Sequence, residues 1–77
     1  MLINRNQVGG QHYMWTVLYL AQGKEEADKI ENALIEAGVL VKVKGIGKDK
    51  KGQGIFEISV PQSEVDYAYP VLTSVIY

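Results

Sequence analysis

VLVKVKGIGKDKKGQGIFEISV, residues 39–60, holds two β-prone runs around a centre rich in glycine and lysine. The runs VLVKVK (39–44) and IFEISV (55–60) carry an apolar residue at every second position, as half-buried strands do. A register test ties them into one antiparallel hairpin. Pairing Lys44 with Ile55 sets Val43 opposite Phe56, Val41 opposite Ile58 and Val39 opposite Val60, so six apolar residues share a face. The other face then pairs Lys42 with Glu57 and Leu40 with Ser59. A slip of one residue turns both sets to the wrong side, so the pattern specifies the pairing. The residues left over, GIGKDKKGQG (45–54), fall at the hairpin tip, where glycine supplies positive φ values.

Upstream, KEEADKIENALIEAG (24–38) reads as a helix, with Ala27, Ile30, Leu34 and Ala37 on one stripe and acids in the first turns, where the helix dipole favours them. Gly38 is the expected stop, in the left-handed conformation common just past a helix end. Before it, MWTVLYLA (14–21) is a strand. Trp15, Val17 and Tyr19 point to one side and Leu18 and Leu20 to the other, and apolar residues on both sides mark a central strand. Downstream, PQSEVDYAYPVLTSVIY opens with Ser63 and Asp66 in capping-box spacing. A helix over about 62–69 is expected to kink or end near Pro70. The β-prone TSVIY is free to add a short edge strand.

The order is strand, helix, strand, strand, helix, with an optional final strand: an α+β sandwich with both helices on one face of an antiparallel sheet. The helix between strands one and two implies a right-handed crossover that leaves them parallel. Residues 14–77 make the single domain. Residues 1–13, MLINRNQVGGQHY, show neither periodicity and read as a flexible leader. Gly9-Gly10 can be encoded as a ribosome-binding sequence three codons before Met14, so translation is expected to start naturally at Met14.

The 77 residues contain no cysteine, which excludes a disulfide framework, thiolate zinc and cysteine nucleophiles and suits the cytoplasm. No apolar run is long enough to cross a membrane, and the N-terminal segment has no hydrophobic h-region, so a secretory signal is not expected. A net charge of −1 gives no field that attracts nucleic acid. The charges are segregated all the same. Residues 42–51 hold five lysines and one aspartate, and residues 25–36 hold five acids and one lysine. Such a split suits complementary surfaces in self-association, or simply two solvated faces.

Catalysis is not expected. Ser63 and Asp66 have no histidine beside them, no carboxylate pair stands out as acid and base, and the only histidine, His12, has no clustered ligands for a metal. No cofactor motif is present. The glycine-rich stretch has a structural reading, the hairpin tip, and a functional one. In the latter, Gly45, Gly47, Gly52 and Gly54 free backbone N–H groups into an anion nest, with Lys48, Lys50 and Lys51 adding charge for a small anion or a protein partner. True phosphate loops join a strand to a helix, whereas here a strand follows.

WTVLYLA, EEADKIENALIEAGVLVKV, IFEISVPQSEVDYA and the closing VL resemble the small prokaryotic domains described as signal-transducing proteins of unknown function. The resemblance spans most of the chain and lies in packing and turn residues. It implies a ferredoxin-like fold related to the PII nitrogen-regulatory proteins, whose loop between strands two and three contacts partners. Residues 45–54 fall at the corresponding place. They form a much shorter loop, and no nucleotide-holding pattern accompanies it. Some similar small proteins carry the name glutamate decarboxylase, but a pyridoxal-phosphate enzyme needs a far larger chain.

Two helices cover only one face of such a sheet. The other face is expected to expose Trp15, Leu18, Leu20, Leu40 and Ile55, and an apolar patch on a thin-cored domain points to a homo-oligomer, most simply a sheet-to-sheet dimer. The functional expectation is a regulatory or adaptor module that binds a partner or small ligand. The alternative is a purely structural homo-oligomeric domain.

Overall fold

The computed structural model describes residues 14–77. In chain order it contains β1 (Trp15–Gln22), α1 (Lys24–Glu36), β2 (Lys42–Lys48), β3 (Gly54–Pro61), a 3-10 turn (Gln62–Glu64) and α2 (Val65–Ile76). The sheet order is β1-β3-β2, and β3 runs antiparallel to both neighbours. Hence β1 and β2 are parallel to each other, as the crossover through α1 implies. The helices pack against each other and against the sheet around Ala27, Ile30, Leu34, Ile58, Val60, Ala68 and Leu72. Full burial of a side chain the size of Ile30 or Leu34 stabilises by about 1.5–3 kcal/mol. The leader and His12 lie outside the described residues.

The helix α1 follows its sequence closely. Ala27, Ile30 and Leu34 are buried. Gly38 (φ 83°) closes the helix, its N–H donating to the Ile35 carbonyl at 3.0 Å while the Val39 N–H donates to the Leu34 carbonyl at 2.9 Å. This paired arrangement satisfies the last carbonyls and brings Val39 back onto Leu34, both in the core.

Three expectations change. β1 is an edge strand, and β3 is the centre. Among the described residues no second layer covers β1, so the apolar residues on both its sides reflect a sheet with one open face. The hairpin is also paired two residues further along than the pattern suggested, with Lys42 opposite Ser59, Val43 opposite Ile58, Lys44 opposite Glu57 and Gly45 opposite Phe56. An even slip keeps every side chain on its face, so Val43 and Ile58 still turn inward, and Val41, now ahead of β2, still packs against the core. Phe56 explains the choice. A Cβ on Gly45 would lie 3.5 Å from its ring and one on Gly54 3.0 Å, so the ring lies against backbone where neighbouring residues have no side chain. β2 thereby absorbs Gly45, Gly47 and Lys48, with irregular pairing between the two glycines.

The third change is at the C-terminus. α2 runs through Pro70 to Ile76, so there is no final strand, and neither the 3-10 turn nor α2 has a side-chain cap, so Ser63 and Asp66 form no capping box. Pro70 removes one bond on an exposed side of the helix, where the Asp66 carbonyl is open to solvent. Val71, Leu72, Val75 and Ile76 pack into or against the core, and that burial overrides the β preference of TSVIY. The Tyr67 O–H donates to the Ala37 carbonyl at 3.0 Å, joining α2 to the end of α1.

Candidate interaction surface

Along β1 the alternation breaks once. The register against β3 shifts between Val17 and Tyr19, after pairing Trp15 with Pro61, Thr16 with Val60 and Val17 with Ser59, and before pairing Tyr19 with Ile58, Leu20 with Glu57 and Ala21 with Phe56. The extra residue, Leu18, packs against the core together with Tyr19. So Tyr19 leaves the side of Trp15 and Val17, Leu18 leaves the expected oligomer face, and Leu20 joins Trp15 and Val17 on the side away from the helices.

That side is bare. Trp15, Val17 and Leu20 are 38%, 48% and 50% exposed, against 0% for Ile58 on the opposite face of the sheet. Ile55 belongs to the same side, flanked by Gln22 on β1 and Gly47 on β2. Leu40, between the core-facing Val39 and Val41, is exposed as well. The polar members come from the hairpin: Lys42, Lys44 and Glu57. Lys44, rather than Lys42, stands opposite Glu57, and the Lys42 ammonium lies 4.5 Å over the centre of the Trp15 ring. Ser59 is buried between Lys42 and Val17. An apolar stripe with a charged flank is the make-up of a contact surface. The alternation already set Trp15 and Val17 on one side. What it hid is the bulge, which has no signal in an unbroken apolar strand and which turns Leu18 and Tyr19 to the core and brings Leu20 beside Trp15 and Val17.

The glycine-rich stretch is divided among elements. Gly45, Gly47 and Lys48 lie in β2, Gly54 begins β3, and Lys50, Lys51 and Gly52 form the turn between. Asp49 organises that turn: its Oδ1 accepts the N–H of Lys51 at 2.9 Å and of Gln53 at 2.8 Å. The Gly52 N–H donates to the Asp49 carbonyl at 3.0 Å, and the Asp49 N–H to Gln53 at 2.8 Å. Two amides that an anion would use are thus held by the chain's own carboxylate. The signal for this was the aspartate three residues before a glycine, a common turn pattern. At the base of the hairpin the Gly23 N–H donates to the Gly54 carbonyl at 2.7 Å, tying it to the β1–α1 connection. There the Gln22 N–H donates to Glu26 Oε1 at 2.9 Å.

Among the described residues no cluster of three histidine, cysteine, aspartate or glutamate side chains is placed to hold a metal, and no helix is long and apolar enough to cross a membrane. Tyr19 is the titratable group with a distinct shift. Burial pushes its phenol up from the ordinary value, helped by the charges of Glu26 and Tyr77.

Together these features define a small α+β domain with two helices on one face of a three-stranded antiparallel sheet and an apolar, lysine-flanked stripe on the other. Comparisons with protein-family models, curated proteins and solved structures give no match.

Proposed function

We propose that this domain is a small cytoplasmic regulatory or adaptor module that works by binding and performs no catalysis. The observation that carries the reading is the bare sheet face, where Trp15, Val17 and Leu20 stay about half exposed although the domain has little core to spare. The strand order β1-β3-β2 supports a ferredoxin-like, PII-like ancestry, being the order of such a unit without its last strand. A chain without cysteine suits a reducing compartment. The contact surface in this reading is the sheet, not the loop. An anion at residues 45–54 would rely on Lys48, Lys50 and Lys51, because Asp49 already takes two turn amides.

A thermal-shift screen with nucleotides, inorganic phosphate and amino acids tests the ligand version, since saturating ligand at about 100 dissociation constants adds about 2.7 kcal/mol of stability. A rise in Tm, with NMR shifts at Trp15, Val17 and Leu20, supports the sheet-face site. Shifts confined to residues 45–54 move the site to the loop.

The second reading is a structural homo-oligomer, packed sheet to sheet. The same half-exposed stripe favours it, because a second copy would cover Trp15, Val17 and Leu20. Light scattering at high micromolar concentration separates the outcomes: a dimer with no ligand response supports the structural role, and a monomer removes it.

A further inference from the structure

We propose that β1 is the strand through which two copies of this chain pair, edge to edge and antiparallel, into one continuous sheet of six strands. This rests on the reading of the domain as one that works by association, and it names the strand and the geometry.

The two edges of the sheet are unlike. β2 carries Lys42, Lys44 and Lys48, two glycines and irregular pairing between them. Lysines and bulges are the devices by which natural sheets prevent a further strand from adding. β1 reads WTVLYLAQ, eight residues without a charge, a proline or a glycine. Its one irregularity sends Leu18 to the core and leaves Tyr19–Gln22 in regular register. Among the described residues no strand lies along its outer side. A long, uncharged, apolar edge of this kind is a template for another strand.

Symmetry and charge select a second copy of β1 as that strand. Antiparallel β1–β1 pairing about a two-fold axis normal to the sheet closes with two copies. β2–β2 pairing would set lysines among lysines, and like charges across strands destabilise. β1–β2 pairing is head to tail and need not close.

Size points the same way. Three strands about 4.8 Å apart and about 25 Å long present roughly 350 Å² of flat face. A standard interface takes about 800 Å² from each partner. The two-fold axis keeps all helices on one side, so the exposed Trp15, Val17 and Leu20 of both copies adjoin and the bare face roughly doubles. Edge pairing thus turns two small faces into one platform of ordinary interface size.

Amide hydrogen exchange on the full-length chain at two concentrations is the test. Outward-facing amides within residues 16–21 should exchange about tenfold more slowly once the free chain exceeds its dissociation constant about tenfold. The outward amides of β2 should not change. Fast and equal β1 exchange at both concentrations overturns the proposal. So does slow exchange at both concentrations in a chain that light scattering shows to be monomeric, because the edge is then covered from within the chain.

Single cysteines give a second measurement, since the native chain has none to interfere. Under mild oxidation, at least one of Thr16→Cys, Val17→Cys and Leu20→Cys should form a covalent dimer, because a disulfide needs Cα atoms within about 7 Å. Glu57→Cys, in the middle of the open face, should remain uncrosslinked. Crosslinking of Glu57→Cys alone overturns edge pairing but leaves sheet-to-sheet association standing. A monomer with no crosslink at any position overturns both.

Discussion

β3 has two faces that differ by everything packed against them. Phe56, Ile58 and Val60 belong to the core on the helix side, whereas, among the described residues, Ile55, Glu57 and Ser59 are flanked by the neighbouring strands alone. One strand therefore serves as the centre of the core on one side and as the floor of an open surface on the other. Among the described residues no third layer covers the second face of this small sheet, so its apolar side chains stay partly exposed, which is what the proposed role in association would use.

The largest effect that separates the faces is truncation. Ile58→Ala should cost about 2–5 kcal/mol, the range for a fully buried branched side chain, which is a large part of the stability of a domain this size. Leu20→Ala, on the open face, should stay within about 0.5 kcal/mol. Urea denaturation of both variants measures the difference. Equal losses would mean that the open face is a second core.

A smaller effect sharpens the packing on the helix side. Gly54→Ala places a methyl 3.0 Å from the Phe56 ring and should cost about 1–3 kcal/mol, whereas Gly45→Ala, at 3.5 Å, meets ordinary contact. Gly45→Ala should be neutral or slightly stabilising, because glycine in a strand carries an entropy cost of about 0.5–1 kcal/mol. Similar losses from the two substitutions would show that Phe56 is not held between these glycines.

On the open face, Lys42→Ala removes the ammonium over Trp15 and should cost about 0.5–1 kcal/mol, with a change in tryptophan emission. Lys44→Ala, opposite Glu57, should leave the emission unchanged. Identical spectra for both variants would remove the Lys42–Trp15 contact from the surface.

How much of this was legible follows from the kind of signal each feature has. α1 was readable throughout because its stripe and Gly38 are local: the helix ends where a left-handed residue sits, with no help from elsewhere in the fold. The hairpin was readable by face but not by register. A period of two distinguishes odd slips from even ones, and only the bulk of Phe56 beside two glycines distinguishes the even slips from each other. The bulge at Leu18 and the helix through Pro70 left no local mark, since both depend on what the helices and sheet bury together. The open face was legible as a count of layers, two helices being able to cover only one side. Its membership was not: the bulge turns Leu18 and Tyr19 to the core and brings Leu20 to the side of Trp15 and Val17.

The smallest effect concerns pH and returns to the helix side through Tyr19. Its phenol is held above the ordinary value of 10.0, first by burial and then by Glu26 and Tyr77, so the fold favours the neutral form. As pH rises through 10 the unfolded chain loses this proton before the folded one does. The folded state then binds more protons, and stability falls with rising pH. The contribution is fully present below pH 10, declines as pH climbs towards the raised folded value, and is constant beyond it. Tyr19→Phe has no proton to lose, so its urea midpoint should match the native chain at neutral pH and fall less steeply in alkali. Glu26→Gln should flatten the alkaline decline by a smaller amount, because its charge is the second cause rather than the first. If native and Tyr19→Phe chains lose stability in parallel above pH 10, Tyr19 ionises as freely in the fold as out of it, and its phenol is not desolvated there.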